Sequence, residues 1–454
     1  MKRFLFFLLF ITLLPRVAFS APRHVEAACT GGKWHFTVDG RPFYMNAATI
    51  YTSQDFCIQP ADYGANTVRT FRFGPNPRTF LDNCEQAGLM VHAGLGFRSV
   101  RSGAYANDEA GALARQEEEI LNIVRKYKDH PAILCWCIGN EIEINYADKP
   151  LTAQYESIQR IAEAIHAIDP HHPVTLTVTA GMPPAKRHGL MEICTALDFL
   201  SVNSYLTVDH DFTVVEKLDE AGWDKGYVCT EFGPAGWWNH ARLPERRFTD
   251  WGAVLDLTST EKETLYKKCV DALLRDGRCM GFSVFLWGNQ TSDQDEVKEW
   301  YGLVDKNGYT YGTVDIMQTF WTGHAPVVTA PRIETRNDIR MNGKTAADWI
   351  KLQPGSQNSA SVKATSPSGA ALRYHWRIIR ERTASYDKTL AEGISGLIYN
   401  DGDKKIRFVA PYTPGAYRLF VHVYDDRNRK AAYASIPFLV EGEDVQLEQL
   451  ESLE

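Results

Sequence analysis

The sequence predicts a (β/α)8 barrel followed by a smaller β-sandwich. Between about residues 35 and 325, eight short apolar segments alternate with segments of helical periodicity. Strands that alternate with helices form a parallel sheet, and eight such units favour closure into a barrel. After about residue 326, short alternating segments separated by turn-rich joins replace this pattern, as is typical of a β-sandwich. A chain of 454 residues is long enough for both domains.

The eight candidate barrel strands are short apolar runs bounded by polar or turn-forming residues. They are Phe43–Ile50, Thr67–Phe71, Leu89–Leu95, Ile133–Ile138, Val174–Val178, Phe199–Val202, Tyr227–Thr230 and Phe282–Trp287. Helical periodicity and stop signals predict four of the connecting helices: Pro77–Ala87, Leu113–Lys128, Thr152–Ile168 and Thr258–Arg275. A doubly wound open sheet is the alternative, but no glycine-rich phosphate-binding segment follows the first strand.

The second domain contains five alternating segments with little helical signal. They are Ser361–Thr365, Leu372–Ile379, Ile406–Ala410, Tyr417–Tyr424 and Ala432–Leu439. We therefore expect a barrel domain over residues 21–325, a sandwich over residues 326–441 and an acidic tail over residues 442–454.

The first twenty residues have the features of a secretory signal peptide. Lys2 and Arg3 precede an apolar run, and Ala18-Phe19-Ser20 places small residues where a signal peptidase cuts. We expect cleavage before Ala21 and a secreted or periplasmic protein, with a retained membrane anchor as the alternative. No membrane insertion is expected once the signal is removed.

Charge and cysteine usage restrict the possible partners. Removing residues 1–20 removes three basic and no acidic side chains, so the formal net charge changes from −7 to −10. This charge argues against nucleic acid or an anionic membrane surface as a partner. Among nine cysteines, Cys135 and Cys137 lie in an apolar strand and are expected to be small buried side chains. Their spacing, without a second cluster of ligands, does not indicate a zinc site. No metal and no other cofactor is expected.

Two glutamates follow predicted strands at the same end of the barrel. The fourth strand runs into Gly139-Asn140-Glu141, and the seventh into Thr230-Glu231. Active sites of such barrels lie at the carboxyl ends of the strands. Hydrolysis of a glycosidic bond needs a pair of carboxyl groups, one to protonate the leaving oxygen and one to attack or to activate water.

The motif Trp136-x-x-Gly139-Asn140-Glu141, together with Glu231, resembles the signature of the clan A glycoside hydrolases, and especially the family 2 barrels. The segment 302–305, Gly-Leu-Val-Asp, is similar to the segment that closes those barrels. In family 2, sandwich domains precede the barrel, whereas here a single predicted sandwich follows it. That order is similar to the bacterial endo-β-1,3-glucanases in which an immunoglobulin-like domain follows the barrel, and it implies an immunoglobulin-like sandwich.

The resemblance implies roles for six residues. They are the acid/base (Glu141), the nucleophile (Glu231), the residue that binds the substrate 2-hydroxyl (Asn140), the arginine that keeps the nucleophile ionised (Arg69), the tyrosine that hydrogen-bonds the nucleophile (Tyr205) and the aromatic floor under the sugar (Trp287). Glu143 is the alternative acid and Arg72 the alternative arginine. Tyr205 and Trp287 have purely structural alternatives.

Three further residues are candidates for contact with substrate. Trp237 and Trp238 follow Glu231 on its loop and are expected to stack on sugar rings, with burial under a neighbouring loop as the alternative. His92, on the third strand, either lines the pocket or is a hydrogen-bonded residue of the barrel interior.

These observations predict a retaining glycoside hydrolase that cleaves β-linked glycans by double displacement. An endo-β-glucanase acting on an oligo- or polysaccharide, including β-1,3-glucan, is the leading hypothesis. An exo-β-glycosidase of the galactosidase or mannosidase type and a transglycosylase remain open. A non-catalytic glycan-binding protein is the alternative from another class.

Overall fold

The computed structural model describes residues 22–53, 56–98, 109–145, 150–205, 218–234, 248–288, 301–381 and 393–442. The expected signal peptide, Trp237 and Trp238, and most of the acidic tail lie outside these ranges. Within the described ranges, no helix has both the length and the apolar character needed to cross a membrane.

A small antiparallel sheet precedes the barrel. Its strands are β1 (Val25–Thr30), β2 (Lys33–Val38) and β3 (Arg41–Phe43). Phe36 and Val25 pack there with the first residues of several barrel strands, among them Met90 and Phe199. The sheet therefore closes the amino-terminal end of the barrel and leaves the carboxyl-terminal end for a site. The sequence did not predict these strands separately.

Eight parallel strands form a closed barrel, as predicted. They are β4 (Met45–Thr49), β5 (Thr67–Arg69), β6 (Met90–Phe97), β7 (Ile133–Asn140), β8 (Val174–Thr179), β9 (Phe199–Asn203), β10 (Tyr227–Glu231) and β11 (Cys279–Val284). Strands β4 to β11 neighbour one another in chain order, and β11 pairs with β4. Because both faces of the strands are covered, they appear in the sequence as continuous apolar runs.

The helices pack around this barrel. They are α1 (Pro77–Gln86), α2 (Glu109–Tyr127), α3 (Thr152–Ile168), α4 (Pro184–Ile193), α5 (Ser259–Arg275) and α6 (Gly312–Thr322). Helix α5 begins with a capping box in which the Thr258 hydroxyl accepts from the Glu261 amide while the Glu261 carboxylate accepts from the Thr258 amide. The sequence did not predict α4 and α6.

The second domain consists of two four-stranded sheets. One sheet has the order β12 (Ile339–Met341), β14 (Gln357–Val362), β17 (Lys405–Val409) and β16 (Ile398–Tyr399), and the other has β13 (Lys351–Leu352), β19 (Lys430–Val440), β18 (Gly415–Asp425) and β15 (Arg373–Arg380). Trp376 lies in the core between them, as its position within an apolar strand suggests. This arrangement agrees with the predicted sandwich, and its immunoglobulin-like character stays a prediction.

The sandwich is tied to the segment that leads from β10 to α5. Leu255 is buried in the hydrophobic core of the sandwich, although it precedes α5 in the barrel. The Arg418 guanidinium on β18 donates to the Val254 carbonyl oxygen over 2.6 Å. Lys430, the first residue of β19, forms a buried ion pair with Asp315 in the first turn of α6. The two domains therefore share apolar and charged contacts.

The Lys430–Asp315 pair should make a large contribution to the integrity of this interface. In Lys430→Met, the Asp315 carboxylate loses its cation while buried, and we expect a loss of about 3–5 kcal/mol in the free energy of unfolding. Lys267→Met, which removes an exposed ion pair with Asp271, should cost at most about 1 kcal/mol. Urea unfolding of both variants measures these losses in the free energy of unfolding. Equal losses would contradict a larger contribution from the buried pair.

No disulfide joins any of the nine cysteines, all of which lie in the described ranges. Cys135 and Cys137 on β7 are buried, as their position in an apolar strand predicted. Burial raises the pKa of both thiols, so they stay protonated and behave as small side chains of the barrel interior.

Candidate active site

Glu141 and Glu231 are brought to the carboxyl-terminal end of the barrel by two strands that are separated by β8 and β9. Glu231 is the last residue of β10, and Glu141 immediately follows Asn140, the last residue of β7. Arg69 ends β5 on another side of the same barrel. The sequence-predicted residues therefore come from several strand ends, as in other barrel active sites.

Arg69 connects these strand ends. One guanidinium nitrogen donates to Glu231 Oε1 over 2.6 Å, and the other donates to Asn140 Oδ1 over 2.5 Å. Only 1% of the Arg69 surface is exposed, so its charge is paired in a site from which water is largely excluded. The alternative arginine, Arg72, is exposed. These contacts favour Arg69 as the partner of the predicted nucleophile.

Tyr205 holds the second oxygen of Glu231. Its hydroxyl donates to Glu231 Oε2 over 2.6 Å. Burial, and next the charge of Glu231, raise the pKa of Tyr205 well above its usual range, so the phenol remains a donor. Both Glu231 oxygens thus accept hydrogen bonds, one from a cation and one from a hydroxyl, as an ionised carboxylate does.

Glu141 has a strained backbone and an altered acidity. Its φ of 49° lies in the left-handed region, which costs a residue with a side chain about 1–3 kcal/mol, and its amide donates to the Thr177 carbonyl over 2.9 Å. Burial, and next the charge of Glu231, raise the pKa of Glu141 to about 8. A carboxyl group that stays protonated at neutral pH is suited to donate a proton.

Asn203 and Thr230 complete the network, and sequence reasoning gave neither a role. The Asn203 amide donates to Glu141 Oε1 over 2.9 Å and to Asn140 Oδ1 over 3.2 Å. The Thr230 hydroxyl donates to Asn203 Oδ1 over 2.8 Å. Their positions at or next to the ends of β9 and β10 were the available signal, because the other polar residues of the network also lie at strand ends or just beyond them.

The orientation of Asn140 follows from its partners. Its side-chain oxygen accepts from a guanidinium nitrogen of Arg69 and from the amide nitrogen of Asn203. Both nitrogens can donate a hydrogen bond but cannot accept one. The amide nitrogen of Asn140 therefore points away from both. This leaves N–H donors that can meet a substrate hydroxyl, the role that the family resemblance implied.

Trp287 follows β11 at the same end of the barrel, but it is only 1% exposed. Its indole N–H donates to Gln59 Oε1 over 3.2 Å, and its ring packs against Tyr63 and Trp321. Phe71 is only partly buried, but its ring lies 4.2 Å from the Arg69 guanidinium and stacks on Tyr51 with the ring centroids 5.3 Å apart. This packing favours the structural alternative for Trp287.

His92 is completely buried within β6. Its Nε2 lies 2.9 Å from the Ser201 hydroxyl, and burial lowers the pKa of the ring to about 3. A neutral, fully buried imidazole matches the alternative of a hydrogen-bonded residue in the barrel interior rather than a contact with substrate.

Glu143, the alternative acid, lies on the turn after Glu141. It is 3% exposed, and its Oε1 accepts from the Thr179 amide over 2.6 Å. This bond ties Glu143 to the end of β8, which favours a structural role. Trp237 and Trp238 lie outside the described residues, so their stacking stays a prediction.

One cluster in the described ranges has the composition of a metal site: Asp82, Glu85 and His130. It lies near the amino-terminal end of the barrel, because His130 precedes β7. His130 Nδ1 accepts from the Ala132 amide, so the ring proton is on Nε2, 3.1 Å from Asp82. This geometry fits a hydrogen bond from the His130 ring to the Asp82 carboxylate rather than a metal ligand.

Comparisons with known proteins give matches to glycoside hydrolases. The family described as "Glycosyl hydrolases family 2, TIM barrel domain" matches residues 50–235, a range that contains both Glu141 and Glu231. "Beta-glucuronidase" of Rattus norvegicus is 26% identical over 202 residues, covering 41% of this chain and 28% of the rat protein. The Homo sapiens protein of the same name is 23% identical over 199 residues, with 41% and 28% covered. The chain therefore spans little more than a quarter of these relatives.

A solved structure of a Bacteroides uniformis beta-glucuronidase has a TM-score of 0.50 and 13% identity, and covers 92% of this chain and 48% of that protein. The matched family and the named relatives are glycoside hydrolases. With the closed eight-stranded barrel and the segment matched within it, the chain has the family 2-like barrel fold of the clan A glycoside hydrolases.

Proposed function

We propose that the protein is a retaining β-glycosidase that acts on chain ends, with Glu231 as nucleophile and Glu141 as acid/base. The observation that carries this proposal is the single hydrogen-bonded network that joins the two glutamates through Arg69, Asn140 and Asn203. It gives each carboxyl group a different environment, as double displacement requires.

In the first step, Glu231 attacks the anomeric carbon and the bond to the leaving oxygen breaks, while Glu141 gives its proton to that oxygen. Arg69 and Tyr205 fix the attacking carboxylate, which lowers the entropic cost of reaching the transition state. The free amide of Asn140 is available to bind a sugar hydroxyl.

In the second step, Glu141 is ionised and takes a proton from water as the water attacks the anomeric carbon. The bond to Glu231 breaks, and the sugar leaves with its original configuration after two inversions. The pKa of Glu141 falls when Glu231 is esterified, because the neighbouring negative charge that raises it is then absent.

The curated relatives favour exo-action over the endo-glucanase hypothesis. The named relatives are beta-glucuronidases, and β-glucuronides are therefore the first substrates to test. Aryl β-glucuronides, β-galactosides, β-glucosides and β-mannosides, with laminarin and xylan for endo-action, make up the panel. Release of nitrophenol with β-anomeric sugar as the first product, seen by proton NMR, supports the proposal; an α-anomer as first product contradicts retention.

Activity should be lost as the pH rises through about 8. Glu141 must carry a proton to assist the leaving group, and its pKa is raised to about 8, so the protonated fraction falls above that pH. The dependence of kcat/KM on pH reports the free enzyme and should show this basic limb. The limb should disappear in Glu141→Gln; a limb that remains would assign the proton donor to another group.

We also propose that the protein is exported. The support is the basic start, apolar run and small residues within positions 1–20. Amino-terminal sequencing of protein from the periplasm or culture medium should begin at Ala21. An intact Met1 on the exported protein would contradict cleavage.

A further inference from the structure

Asn203 occupies the point where three barrel strands meet around the candidate acid/base. It ends β9, is only 3% exposed, and lies between Asn140 and Glu141 on one side and Thr230 on the other. The Ser204 amide donates to the Glu231 carbonyl over 2.8 Å, which keeps the ends of β9 and β10 together. The Asn203 backbone is therefore fixed relative to both glutamates.

The side-chain amide of Asn203 can adopt only one orientation. Its two N–H groups meet the oxygens of Glu141 and Asn140, and its oxygen accepts from the Thr230 hydroxyl. Rotation by 180° would place the Asn203 oxygen against the Asn140 oxygen, which already accepts from Arg69. A buried contact between two acceptors is costly, so Arg69 and Thr230 together hold the amide in place.

The position of this donor distinguishes the two oxygens of Glu141. Oε1 receives the Asn203 N–H at 2.9 Å. A carboxylic acid accepts a hydrogen bond best at its carbonyl oxygen, so the proton of the neutral group is then carried by the other oxygen, Oε2.

We propose that Asn203 is a positioning residue for proton transfer, which holds Oε1 of Glu141 so that Oε2 carries the proton to the leaving group. This inference rests on the proposed function. The hydrogen bond from Asn203 also favours the ionised form of Glu141 and lowers its pKa, against the effects of burial and of Glu231. Asn203 therefore keeps the acid/base able to lose its proton in the first step.

Asn203→Leu tests the proposal directly, because leucine has the same branching and number of heavy atoms but no donor. NMR of protein labelled with 13C at the glutamate carboxyl carbons gives the titration of Glu141, assigned by the signal missing in Glu141→Gln. We expect the midpoint to rise by about one pH unit in Asn203→Leu. The other charged groups that act on Glu141, namely Glu231, Glu143 and Arg69, are unchanged in this variant.

Thr230 supplies a matched pair of milder variants. Thr230→Val removes the hydroxyl that holds the Asn203 oxygen and should raise the Glu141 midpoint by less, whereas Thr230→Ser keeps the hydroxyl and should leave it unchanged. These variants also carry the test if Asn203→Leu does not fold. A Glu141 midpoint that is the same in wild type, Asn203→Leu and Thr230→Val would overturn the proposal.

Kinetics separate positioning from a general loss of structure. In Asn203→Leu, kcat/KM should fall about 10- to 100-fold for alkyl glycosides, which need the proton, and much less for 2,4-dinitrophenyl glycosides, which do not. Equal losses for both would contradict a role in proton transfer. A wild type inactive on every glycoside would instead overturn the proposed function, and the NMR titration would still decide whether Asn203 controls the Glu141 carboxyl group.

Discussion

Glu231→Ala should be almost inactive on aryl β-glycosides, and sodium azide should restore turnover with an α-glycosyl azide as product. Loss of the nucleophile in other enzymes with covalent intermediates lowers kcat on the order of 10⁴- to 10⁶-fold. The alanine leaves a space beside the anomeric carbon in which azide can attack directly. A single displacement inverts the centre, so a β-glycoside gives the α-azide.

The control for this variant concerns Arg69. Removing Glu231 leaves a guanidinium that is 1% exposed without its carboxylate, which itself destabilises the fold. Glu231→Gln keeps an acceptor for Arg69 but has no nucleophile, so it should fold more stably than Glu231→Ala and remain inactive with or without azide. Wild-type activity in Glu231→Gln, or a β-azide from Glu231→Ala, would show that Glu231 is not the nucleophile.

The sequence predicted the barrel well because its strands are covered on both faces. A buried parallel strand has no polar face, so each appears as an apolar run between polar residues. The predicted Thr67–Phe71 begins where β5 (Thr67–Arg69) begins, and helix Thr152–Ile168 was predicted with the observed bounds. Helix α3 has a buried face with helical spacing and ends before Asp169-Pro170, which supplies a clear stop.

The missed elements lack these signals. Helix α4 is only ten residues long and contains Gly189 in its interior, so its local preference for helix is weak. Strands β12, β13 and β16 have only two or three residues. Alternation of apolar and polar residues cannot be recognised over such lengths.

Residues of the candidate site could be predicted where a charged side chain lies at or next to the carboxyl end of a predicted strand. Glu141, Glu231 and Arg69 could be found in this way, because carboxyl ends of parallel strands meet on one face of the barrel. Trp287 and His92 also lie on or next to strands, but sequence does not show that a side chain is turned inward and fully covered. The network of Asn203 depends on hydrogen bonds between three strands, which no pattern within one segment reveals.

Glu141→Gln and Glu143→Gln, two residues apart, should behave very differently. Glutamine at position 141 cannot supply a proton, so kcat/KM for glycosides with poor leaving groups should fall about 10²- to 10⁴-fold. Glutamine at position 143 keeps an oxygen to accept from the Thr179 amide, so activity should remain close to wild type, while loss of the Glu143 charge should shift the basic limb slightly to lower pH. Similar losses in the two variants would contradict the difference in their roles, and a larger loss in Glu143→Gln would assign the proton donor to Glu143.

The leaving group and azide provide the decisive comparison for Glu141. In Glu141→Ala, a 2,4-dinitrophenyl β-glycoside should still form the covalent intermediate on Glu231 at a rate close to wild type, because its leaving group needs no proton. Hydrolysis of that intermediate should be slow without a base, so a rapid burst of dinitrophenol should precede slow turnover. Azide needs no base and should attack the intermediate, and two inversions give the β-azide. Azide thus gives opposite anomers from the two alanine variants, because Glu231 is the nucleophile and Glu141 is the acid/base. An α-azide from Glu141→Ala would contradict these two roles.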